Sequence, residues 1–100
     1  MTTAARKQEP DPPVPYDTET GQIVRLELAT ETMMEYIGYL NTEIMKEEDQ
    51  PKPNQAKIQA LEEQMQAVSK ERKAIASDER LITKALYVYA PIVKALNASE

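Results

Sequence analysis

The sequence predicts an all-α fold, an antiparallel helical hairpin of coiled-coil type. Three observations carry this prediction. Apolar residues recur at alternating spacings of three and four along two long segments. The 100 residues hold only two glycines and no Phe or Trp, while 29% are charged. A Pro51-Lys52-Pro53-Asn54 break separates the two segments. A compact mixed fold of this length leans on aromatic rings, each of which buries roughly 150–250 Å². Five Tyr are the whole aromatic complement here.

Residues 1–17 form the first unit. Pro10, Pro12, Pro13 and Pro15 forbid a regular helix and favour an extended, disordered leader. The functional alternative is a proline-recognition peptide. Pro12-Pro13-Val14-Pro15-Tyr16 misses the PPxY spacing by one residue, which weighs against it.

Residues 18–100 form the helical domain. Asp17 and Thr18 both suit an N-cap. The stretch from Asp17 also has the look of a calcium loop, but its glycine falls at the fifth position rather than the sixth, and its twelfth is Leu28. Ile23, Leu26, Thr30, Met33, Ile37, Leu40 and Ile44 then keep the heptad seam and predict a helix over residues 22–48. Residues 22–29 fit a strand as well, because Val24, Leu26 and Leu28 alternate with Arg25 and Glu27, and Thr32 with Glu35 makes a later capping box. A lone two-stranded hairpin is marginal in water, which favours the continuous helix.

Residues 49–53 are the loop, and Asn54 is a good cap for the second helix. Ile58, Leu61, Met65, Val68, Arg72, Ile75, Glu79, Ile82, Leu86, Tyr89, Val93 and Leu96 hold the same spacing, predicting a helix over residues 54–90 that kinks at Pro91 and runs to residue 97. Ser77-Asp78 offers a second cap. A break near residues 76–79, leaving a third short C-terminal helix, is therefore the alternative.

A short loop between two amphipathic helices makes them antiparallel neighbours, so facing residues should have numbers summing to about 104. Arg72 then falls beside Glu31 and Glu35, and Glu79 near Arg25. These polar pairs are expected to set the register, each exposed pair contributing only about 0–1 kcal/mol.

The lengths do not match. The apolar stretch from Leu81 to Leu96 extends past the start of the first helix. Leaving Ile82, Leu86, Tyr89, Val93 and Leu96 in water would forgo about 1.5–3 kcal/mol for each large side chain. Self-association through these five residues, as a homodimer or higher oligomer, is the favoured expectation. Fold-back of the segment as a third helix is its main rival.

Catalytic chemistry finds little to work with. The chain has no Cys and no His, which removes thiolate chemistry, the commonest metal ligand and the side chain best suited to acid–base work near neutrality. No catalytic, cofactor or metal site is expected. Both glycines stand alone, so no phosphate-cradling loop forms. A net charge of −5 argues against a nucleic-acid partner, and no apolar run approaches the ~20 residues that span a bilayer. With no visible secretory signal, cytoplasm is the expected address.

Charge is unevenly placed. Residues 21–50 carry seven acidic and two basic side chains, and Glu27, Glu31 and Glu35 form a column at four-residue spacing. Such like-charge pairs destabilise an isolated helix by about 0.2–0.5 kcal/mol each. Neutralisation by Lys70, Arg72 and Lys73 of the second helix is the expected compensation. The layout resembles that of many small accessory proteins of phages, plasmids and bacterial secretion systems, but no motif singles out a family. The functional expectation is a non-enzymatic helical adaptor or scaffold that self-associates and binds a protein partner of unknown identity. The alternative is an inhibitor or regulator whose acidic helix-one face binds a basic site on its target.

Overall fold

A computed structural model describes residues 18–98 of the chain, so the proline-rich leader lies outside the described residues. The fold is all-α, and residues 22–29 are helical.

Helix α1 spans Glu19–Glu48. It begins earlier than the apolar seam alone suggests because Thr18 caps it: the Thr18 hydroxyl accepts from the Gly21 N–H at 2.9 Å. Glu19 in the first turn and Lys46 in the last both suit the helix dipole. Past its end, the Glu47 carboxylate accepts from the Asn54 N–H at 3.0 Å and pairs with Lys57 at 3.4 Å. The loop is thus closed by a side chain reaching across it.

Helix α2 spans Gln55–Ala74, with the Asn54 side chain accepting from the Lys57 N–H at 3.1 Å. It does not run on to residue 90. Ile75–Ser77 tighten into a 3-10 turn, and Asp78 adopts an extended backbone at φ −141° and ψ 101°. Ser and Asp side chains compete with the helix for its own backbone groups. Here the Ser77 hydroxyl donates to the Ala74 carbonyl at 3.2 Å and Asp78 accepts from the Arg80 N–H at 3.0 Å, stopping one helix and starting the next.

The last rod has three pieces: α3, Glu79–Lys84; a π-helical turn, Ala85–Tyr89; and α4, Ala90–Ala98. The wide turn immediately precedes Pro91, which has no N–H and whose ring crowds the carbonyl of Tyr87. The Ala90 N–H reaches back five residues to the Ala85 carbonyl. One widened turn lets the helix pass the proline without ending.

This rod folds back on α1 and runs parallel to it. Arg25 pairs with Glu79, 54 residues on, and the Tyr36 and Tyr89 rings meet at nearly the same offset, with centroids 5.1 Å apart. The α1–α2 hairpin is antiparallel in the expected register. Glu47–Lys57 near the loop has the summed residue number predicted for facing positions, and Arg25–Glu79, at the corner where the third rod begins, has the same sum. The main cluster of the core draws on all three rods: Ala29, Met33 and Leu40 from α1, Val68 from α2, and Ile82, Leu86 and Tyr89 from the third.

The fold-back places the residues of the expected self-association surface against the chain's own α1. Ile82, Leu86, Tyr89 and Val93 are buried inside the single chain, and Leu96 is half-buried. Once α1 covers these side chains, the apolar stretch no longer demands a second chain.

Candidate protein-docking surface

Helix α1 is shared by two partners. Its buried side is therefore wider than a two-helix seam, taking in Ala29 as well as Met33, Leu40 and Ile44. Ile23, the first seam position, instead faces water.

The outer side of α1 is unusual. Ile23, Met34 and Met45 are 52%, 55% and 57% exposed. They stand eleven residues apart, three turns of an α-helix taking about 10.8, so they form a nearly straight line along the rod. Leu26 and Thr30 join Met34 in a shallow, largely apolar groove of about 530 Å³. Glu27, Glu31 and Glu35 also line this groove.

All three glutamates are exposed. Among the described residues none of them makes an ion pair or a side-chain hydrogen bond, which departs from the expected neutralisation by α2. Half-buried Arg72 does not pair with Glu31, and neither Lys70 nor Lys73 reaches the column. Steps of four residues carry the column slowly around the back of α1, whereas Arg72 on the α2 seam faces the front. Summed residue numbers capture which level two residues share, not which way they point. Of the two expected register pairs, Arg25–Glu79 forms and Arg72–Glu31 does not.

Of the polar contacts that do form, some run along one helix, as Gln59–Glu63 does, and the others tie rods together or close helix ends. Glu71 on α2 accepts from Lys84 Nζ at 2.6 Å and from the Tyr89 hydroxyl at 2.6 Å, and the Lys84 ammonium lies 5.4 Å from the Tyr89 ring centre. The hydrogen bond to Glu71 holds Lys84 above its ordinary pKa, and burial is the main cause raising that of Tyr89. The Asn54 N–H holds Glu47 below the usual carboxylate range, and the side-chain bond to Arg80 does the same for Asp78. Every one of these shifts belongs to a structural contact. A second, smaller depression of about 260 Å³ lies between α1 and α4, bordered by Glu35, Gly38, Tyr39, Val93 and Leu96.

Among the described residues no three His, Cys, Asp or Glu side chains converge to hold a metal ion, and no helix is long and apolar enough to cross a membrane. Met34 and Met45 lie off the heptad seam, although the steps of eleven from Ile23 to Met34 and from Met34 to Met45 are visible in the sequence. The Glu71–Lys84–Tyr89 tie had no such signal, because it needs the fold-back.

The fold and surface define a small all-α protein of three rods, with an apolar line and an acidic column side by side on its longest helix. Comparison with family models, with curated proteins and with solved structures finds no match.

Proposed function

We propose that this chain is a non-enzymatic helical adaptor that binds a protein partner, with the outer face of α1 as its working surface. The observation that carries the reading is the exposed line of Ile23, Met34 and Met45 on a helix whose buried side already supplies the core. Large apolar side chains scattered singly on a surface need no explanation; what favours docking here is that exposed Met34 borders an apolar groove with Leu26 and Thr30, with Ile23 and Met45 in line on either side. Methionine suits such a surface, since its flexible, polarizable side chain adapts to the shape of a partner.

The acidic column favours the regulator form of this reading over the scaffold form. Three exposed carboxylates without internal partners set an electrostatic preference for a positively charged target. Self-association through the third rod has lost its support, because the side chains invoked for it pack inside the monomer.

Quantitative affinity capture from the native host tests the reading. Full-length bait, its Met34→Asp variant and a Gln66→Asp control on the exposed side of α2 would be compared after circular dichroism shows equal helicity. The expected result is a set of host proteins retained by wild type and control and lost from the Met34→Asp bait. Equal recovery with all three would remove α1 as the working surface.

A further inference from the structure

We infer that the partner element seated on α1 is a basic amphipathic helix of another protein, its apolar stripe on Ile23, Met34 and Met45 and its lysines or arginines along Glu27, Glu31 and Glu35. This rests on the adaptor reading and specifies its ligand.

Length and shape come first. From Ile23 to Met45 the line measures about 33 Å, the reach of a helix of about six turns. Three apolar side chains about 16 Å apart in one line offer a rod three anchor points, and recognition of an amphipathic helix through spaced apolar anchors is a recurring mode. The groove at Leu26, Thr30 and Met34 supplies a recess near the middle of the strip, where a larger apolar side chain would anchor.

Charge decides among rods. The glutamates border the recess itself, so any occupant has its flank within their field. A second copy of this chain would bring its own glutamate column onto the surface. An anionic membrane or a nucleic acid meets the same repulsion. A cationic flank turns that cost into attraction, and it also relieves the like-charge pairs within the column. Specificity thus comes from both the attraction and the repulsion.

The experiment is a titration of uniformly ¹⁵N-labelled full chain, followed by amide shifts. The probe is a synthetic helix of about 22 residues of Leu and Lys with Leu at helical spacing, set against a scrambled peptide of equal composition. The expected result is saturable shifts centred on residues 23–45 of α1, with the scrambled peptide at least tenfold weaker. Raising salt from about 20 to 200 mM should weaken binding about tenfold as the charges are screened. The triple variant Glu27→Gln, Glu31→Gln, Glu35→Gln should bind about fivefold more weakly while melting no lower than wild type.

Three outcomes overturn the inference: equal affinity for the scrambled peptide, shifts centred on Glu62 and Glu63 of α2, or no loss in the triple variant. Concentration-dependent shifts on the same face without peptide would replace the partner with a second copy. Host capture that depends on Met34, combined with failure of the peptide, would sink the basic helix and spare the adaptor. Capture indifferent to Met34 would sink the adaptor instead.

Discussion

The Tyr89 hydroxyl donates to Oε1 of Glu71 across 2.6 Å, tying the third rod to α2 at the level where the Tyr89 ring meets Tyr36 of α1. One side chain therefore touches all three rods. Its substitutions separate the bond from the ring. Tyr89→Phe keeps the ring and loses the bond, which is expected to cost about 0.5–1.5 kcal/mol. Tyr89→Ala empties the junction and should cost about 3–5 kcal/mol. Urea unfolding followed by circular dichroism measures both. Equal costs for the two would mean the ring contributes nothing to packing.

Met33 and Met34 are sequence neighbours about 100° apart around α1, the first fully buried and the second exposed. Met33→Ala should cost about 2–5 kcal/mol through lost burial and the cavity left behind. Met34→Ala should fall within about 0.5 kcal/mol of wild type. Thermal melts of the two variants locate the core. Similar melting temperatures would show that α1 is rotated about its axis, with Met33 no longer facing inward.

Gly38 lies in the interior of α1, and a Cβ added there meets nothing within 4 Å. Glycine at such a position is less favourable than alanine by roughly 0.5–1 kcal/mol, because the unfolded chain loses more freedom. Gly38→Ala is expected to raise stability by about that amount in a urea titration. A loss of stability would mean that the space beside Gly38 is filled.

Stability should fall on the alkaline side. Lys84 is raised by its bond to Glu71, so its contribution is complete below the unfolded lysine value and is lost as pH rises through the folded one. Tyr89, raised chiefly by burial, acts in the same direction: the unfolded tyrosine ionises first, near pH 10, while the folded one resists. The urea midpoint is therefore expected to drop above about pH 10. Tyr89→Phe should flatten part of that drop, and a profile unchanged by the substitution would detach it from this tie. On the acid side, Glu47 and Asp78 are both lowered, so what they contribute is present above about pH 4 and disappears as pH falls through their folded values.

The helices and their ends were largely legible in the sequence because they are local. Thr18, Asn54 and Asp78 have side chains that satisfy backbone donors two or three residues ahead, and each does so here. Register was legible too, since a short loop fixes which residues share a level. Charge pairing was legible only in part. Arg25 and Glu79 point toward each other, whereas Glu31 points away from Arg72, and direction around a rod depends on how three rods share their faces.

The sequence by itself settled that this chain is mainly helical, where its second rod begins and how the first two align, because hydrogen bonds within a helix and a short loop act over a few residues. Only the tertiary structure decided that the apolar C-terminal rod lies along α1 of its own chain, since that choice sets one chain's closure entropy against association with another. The same packing decided which side of α1 stayed in water, leaving Ile23, Met34 and Met45 exposed in line beside Glu27, Glu31 and Glu35.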